Sequence, residues 1–317
     1  MMALWHKYAS LAYFAVFLGV TGHASSEFVS VLCGVSGPEL SVWRFLLGGS
    51  GLVALALVFP TSRDLIAPFK TDGFKLVCLS FIGVTLVYLL FHWSLDFATV
   101  PQVATMITLL PIFVGLANLW LNKQPITTPK IISGAAALLG VALLLTDGYL
   151  AKLAGSSQNL IGLFLALGTA TIGAAYAVIA RPIIGQYGAI RITAITMMMG
   201  AIGLWCVVGI FWNIWVNPLK LFDRAPNYAV SLITIGLYNT TITQFLWIGG
   251  LAAVPDITRG SYLFFLKPVI AAFLAVVFLN QGLTAPQILA IIVICASVLI
   301  EAIWPLEKYL TRSRKVA

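Results

Sequence analysis

Residues 235–255 read IGLYNTTITQFLWIGGLAAVP, and residues 82–101 read IGVTLVYLLFHWSLDFATVP. Ile82-Gly83 answers Ile235-Gly236, Trp93 answers Trp247, and Val100-Pro101 answers Val254-Pro255. The order continues downstream. Leu109-Leu110-Pro111 aligns with Leu266-Lys267-Pro268, Leu121-Asn122 with Leu279-Asn280, and Thr128-Pro129 with Ala285-Pro286. A shared order of Gly, Trp and Pro landmarks marks an internal repeat. Each quoted segment is also apolar over a length that crosses a bilayer.

The rest of the chain has the same character. Of its 317 residues, 61% are hydrophobic and 9% charged, and the mean hydropathy is +1.02. Too few polar side chains exist to coat a water-soluble globule. Ten apolar runs can be marked, at roughly 8–33, 40–59, 75–95, 100–121, 130–147, 160–180, 191–214, 229–250, 257–279 and 286–304. Most hold the ~20 residues that a helix needs to span ~30 Å of hydrocarbon. Barrel strands would be about half as long and alternate in polarity. The expected class is therefore an all-α membrane protein of ten transmembrane helices. The first run follows Lys7 and has small residues near Ala24, as a signal peptide would. It runs on to Cys33, so it is expected to stay as a helix.

Five spans per half is an odd number, so the second half enters the membrane from the opposite side. The expected organisation is a first repeat over 1–150, an inverted second repeat over 151–305 and a basic tail over 306–317. Inverted five-helix repeats suit carriers that alternate access around a midplane site. With the N-terminus in the cytoplasm, thirteen of the eighteen Lys and Arg fall on the inner side. Only Lys152, Lys220 and Arg224 fall outside, and Arg44 and Lys267 lie within spans. This asymmetry predicts both termini in the cytoplasm and a multi-pass protein of the inner or plasma membrane. The net charge of +8 is thus read as topology, with the bilayer as partner and no nucleic acid. Cys33, Cys78, Cys206 and Cys295 form no CxxC or Cys/His cluster and read as buried small residues.

The motifs resemble those of the drug/metabolite transporter superfamily, EamA type. Pro38-Glu39-Leu40-Ser41-Val42-Trp43-Arg44-Phe45 is close to that family's entry into helix 2. Helix 4 carries Leu110-Pro111-Ile112-Phe113, and helix 9 carries Lys267-Pro268-Val269. The family's acidic L-G-E turn is replaced by Leu121-Asn122-Lys123-Gln124 and by Leu279-Asn280-Gln281-Gly282. The resemblance implies a ten-helix permease that moves small organic solutes, often exporting amino acids or related metabolites, without ATP.

Polar groups at membrane depth are the candidate site, because each charge costs about 2.5–3.5 kcal/mol at a helix centre. Lys267 sits mid-span before Pro268, as a ligand for a substrate carboxylate or a group that titrates during transport. Tyr238, Thr241 and Gln244 share one face at i, i+3 and i+6. With Tyr176, Tyr262, Trp93 and Trp247 they are expected to form the substrate-binding wall. Glu27 either binds protons or a cationic group, or pairs with Arg44. His23, four residues before Glu27, and His92 are the other proton-coupling or vestibule candidates. No metal site is expected, since His23 and Glu27 lack a third ligand. No cofactor is expected either.

The leading function is a secondary transporter, an exporter of an amino acid or related carboxylate, with protons as coupling ion or with facilitated exchange. The runner-up is an uptake carrier for a cationic amine held by Glu27 and aromatic rings. An intramembrane enzyme lacks GxSxG, HExxH or paired intramembrane Asp. A non-transporting scaffold has little loop to offer partners. A monomer or weak homodimer is expected.

Overall fold

The computed structural model describes residues 5, 7–98, 100–146, 157–279 and 282–313. It is all-helical, with no strand among the described residues. The helices are α1 (Ala9–Val31), α2 (Gly37–Val58), α3 (Ala67–Ser94) and α4 (Val100–Ile107, continuing as Leu110–Asn122). Then come α5 (Thr128–Thr146), α6 (Ser157–Tyr187) and α7 (Ala189–Trp212). The last three are α8 (Pro226–Ile233, Thr234–Ile242 and Thr243–Ala253), α9 (Ile257–Ser261, Tyr262–Leu266 and Lys267–Leu279) and α10 (Ala285–Ser313). Among the described residues, α2, α3, α5, α6, α7 and most of α4 and α9, seven in all, are long and apolar enough to cross a membrane. The expected boundary between repeats, at 150/151, lies outside the described residues, as do the side chains of the 306–317 tail.

Polarity is inverted relative to a soluble protein. Phe164 and Phe211 are largely exposed on the bundle's outside, whereas Arg44 is 2% exposed inside it. Such an exterior is stable only against lipid.

Local chemistry sets the helix ends. Asp64 Oδ1 accepts the backbone N–H of Ile66 at 3.1 Å and of Ala67 at 2.9 Å, which starts α3. Asp256 Oδ1 accepts the N–H of Arg259 at 3.1 Å and starts α9. Lys123 and Asn213 turn left-handed at φ 56° and end α4 and α7. Two helices carry a wide π turn, α3 over Phe81–Leu86 and α8 over Thr234–Ile242. Both lie on the repeated Ile-Gly landmark.

The packing is paired. α2 packs along α7, and α5 along α10. α1 meets the last part of α8 as α6 meets the last part of α3, and α9 lies on α1 as α4 lies on α6. Close approach needs glycine on these seams. A Cβ on Gly19 would stand 2.8 Å from the Trp247 backbone nitrogen, and one on Gly250 2.8 Å from Val16.

Candidate functional site

Lys267 lies where a 3₁₀ turn, Tyr262–Leu266, opens into the last part of α9. Pro268 follows and has no N–H to give. The lysine is buried, 7% exposed, with its Nζ 5.8 Å from the centre of the Phe264 ring. Lys267 lines an internal cavity of about 90 Å³ with His23, Arg44, Gln244, Tyr176 and Trp247. His23 stands edge-on to Trp247 and Phe264, each at 5.9 Å. Its Nε2 is buried without a hydrogen-bond partner among the described residues.

The π turn of α8 builds the floor. Its i to i+5 pattern frees carbonyls that a regular helix would use. Arg44 takes advantage of this: Nε–H donates to Thr240 Oγ1 at 3.0 Å and Nη2 donates to the Asn239 carbonyl at 3.3 Å. The Asn239 amide donates in turn to the Gly22 carbonyl at 2.8 Å and to Ser25 Oγ at 2.9 Å. One buried guanidinium and one buried amide thereby tie α1, α2 and α8 together. On the facing wall, Gln244 Nε2 donates to the Tyr88 hydroxyl. The Tyr176 and Thr196 hydroxyls are bonded at 2.9 Å.

An open vestibule of about 630 Å³ leads in from the end of the bundle that carries the α1–α2 turn. It shares Ser26, Arg44 and Phe91 with the inner cavity and is lined further out by His92 and Asp96. His92 Nδ1 is held by Ser41 Oγ at 2.6 Å. The opposite end is crossed by polar ties. Lys130 pairs with Asp256, and Arg181 Nη2 donates to the carbonyls of Val254 at 2.5 Å and Pro255 at 3.1 Å. The bundle is thus open at one end and tied at the other.

The structure gathers some of the expected residues and separates others. Lys267, Gln244, Trp247, Tyr176, His23 and Arg44 share the inner cavity, and His92 the vestibule. Tyr238 does not join them; it is 42% exposed on the outside of the bundle. Thr241 donates to the Gly48 carbonyl at 2.8 Å and serves helix contact. The π turn is the reason, because it gives about 4.4 residues per turn and breaks the i, i+3, i+6 face. Trp93 packs edge-on against Trp212 at 5.3 Å. Tyr262 donates to the Lys130 carbonyl at 2.5 Å, at the tied end. The Glu27 side chain lies outside the described residues. Tyr88, Phe91 and Phe264 line the cavity and were not singled out, since aromatics in apolar runs carry no distinguishing spacing. Asn239 did carry a signal, as an amide in the middle of an apolar span. Among the described residues no three His, Cys, Asp or Glu side chains come together to hold a metal.

A profile of the EamA-like transporter family matches residues 8–146 and again 160–302. The chain belongs to the EamA-like transporter family. This EamA-like chain is 21% identical over 250 residues to an uncharacterized transporter of Clostridium kluyveri, covering 79% of this chain and 78% of the relative. It is 24% identical over 247 residues to the uncharacterized transporter YetK of Bacillus subtilis, covering 75% and 70%. A crystal structure matches with a TM-score of 0.75 over 92% of this chain and 96% of its own, at 16% identity, which is likeness of fold. The protein is a multi-pass membrane transporter by family and by its apolar helices.

Proposed function

We propose that this protein is a secondary transporter that exports a small organic carboxylate, such as an amino acid or a related metabolite, by alternating access around the Lys267 cavity. One observation carries the substrate class. Two cations, Lys267 and Arg44, line a buried aromatic-walled cavity. A carboxylate gains there what a cationic amine loses, so the cavity favours a carboxylate cargo over a cationic amine. The Nε2 of His23, without a hydrogen-bond partner among the described residues and beside the same cavity, supports protons as the coupling ion.

The architecture in this reading is ten spans in two inverted repeats, 1–150 and 151–305, with a cytoplasmic tail, both termini inside and the protein in the inner or plasma membrane. The two family matches support it. So does part of the packing, in which the α2–α8, α1–α8 and α1–α9 contacts have counterparts in α7–α3, α6–α3 and α6–α4. The open vestibule then faces outward and the Lys130–Asp256 tie inward. The working unit is a monomer or weak homodimer.

The test is counterflow of a labelled amino acid in proteoliposomes. Lys267→Met keeps the stem and removes the charge. Transport should fall at least tenfold, about 1.4 kcal/mol of lost interaction, while the variant still elutes as a single species. Wild-type flux in that variant sinks the reading.

A further inference from the structure

A second groove, of about 730 Å³, lies outside the transport path at the same end of the bundle as the vestibule. It is built by α2, α7 and the 213–225 connection, and lined by Trp43, Trp205, Trp215, Lys220, Arg224 and Glu39. Arg224 lies over the Trp43 ring at 4.9 Å and pairs with Glu39 at 3.1 Å. Lys220 is exposed and has no ion-pair partner among the described residues. The Trp205 indole N–H donates to the Val216 carbonyl at 2.8 Å and fixes the connection over the groove.

Two features say what fits there. First, basic residues avoid this side of the protein, and only Lys152, Lys220 and Arg224 fall in the loops read as outer. Two of those three converge on one groove. Second, the elements that build the groove expose apolar side chains, with Ile210, Phe211, Leu219 and Phe222 each more than two-thirds exposed. A pocket with a net positive charge, indole walls and exposed apolar side chains on its own elements matches a molecule with an anionic head and acyl tails.

The geometry points to this groove as a binding site for an anionic phospholipid of the outer leaflet, its phosphate held at Lys220 and Arg224 and its chains lying over the exposed apolar side chains. The half-exposed indole of Trp215 would flank the glycerol region, where such rings partition. The site rests on the loop residues and on the orientation proposed above, and not on the Lys267 cavity, so it stands whatever the cargo is.

Native mass spectrometry of the full-length protein tests it, with added phosphatidylglycerol, chain-matched phosphatidylcholine or inorganic phosphate. Wild-type protein should retain phosphatidylglycerol at least fivefold over phosphatidylcholine, with retention falling as salt rises. Lys220→Gln should lower that retention about fivefold, as expected for one charge near a lipid headgroup. Trp215→Leu should lower it too. Lys123→Gln, an exposed residue at the end of α4, should not. Equal retention of the two lipids overturns the site, as does an equal loss in Lys123→Gln. Stabilisation by inorganic phosphate matching that by phosphatidylglycerol would make it a free-phosphate site and overturn the lipid assignment.

Discussion

Gly19→Ala tests the seam on which the cavity depends. The new Cβ would lie 2.8 Å from the Trp247 nitrogen and 2.9 Å from its Cα and Cβ. Ordinary contact begins near 3.4 Å, so α1 and α8 must part by about half an ångström. No flexible side-chain tip is in the way; two of the three atoms are backbone. Overpacking of this kind costs about 1–3 kcal/mol. Alanine recovers about 0.5–1 kcal/mol of that through its helix preference. The net is a destabilisation of up to about 2.5 kcal/mol, worth a few degrees in melting temperature at about 2–4 °C per kcal/mol. Gly185→Ala in α6 is the control, because nothing lies within 4 Å of its Cβ position. It should gain stability by the helix term alone. The assay is the fraction of detergent-solubilised protein that survives heating, read by size-exclusion chromatography. Trp247 lines the cavity, so transport should weaken along with stability. If Gly19→Ala melts no lower than Gly185→Ala, the close approach of α1 and α8 is wrong.

Other predictions follow from the ends of the bundle. Lys130→Met should loosen the tied end, where Lys130 and Asp256 are 13% and 34% exposed. A cysteine placed at Thr258 should then label with maleimide about fivefold faster, as for loss of about 1 kcal/mol. Lys130→Arg, which keeps the pair, should keep labelling slow, and unchanged labelling in Lys130→Met would remove the tie from the mechanism. Asp64 predicts an acid limb. The N–H groups of Ala67 and Ile66 hold its carboxyl below the usual carboxylate value of 3.8. Its stabilisation is therefore full above about pH 4 and lost as pH falls through the folded value. Asp64→Asn should flatten that part of a melting-temperature profile; an unchanged profile would show that the cap is not felt.

Much of the fold was legible because lipid leaves few options. Apolar runs of span length must be helices, and the runs at 40–59 and 257–279 fall on α2 and α9 to within a few residues. α3 was read as starting at 75 and starts at Ala67. Its entry holds Lys70, Asp72 and Lys75, which lower hydropathy, and the helix kinks at Asp72 (φ −116°, ψ 21°), so the regular apolar part begins close to 75. Likewise α6 continues past 180 through Pro182 to Tyr187. Lys267 and Arg44 were visible as charges where charges are costly. The tie between Lys130 and Asp256 joins residues far apart in sequence, which no local pattern reveals. The shared face of Tyr238, Thr241 and Gln244 assumed regular winding, and the π turn removed that assumption.

That same winding has a history. A widened turn houses one surplus residue in an otherwise regular rod, and this chain houses one in α3 and one in α8, each on its Ile-Gly pair. In the proposed reading of the chain as two repeats, one insertion copied accounts for both turns, and the surplus residue predates the doubling.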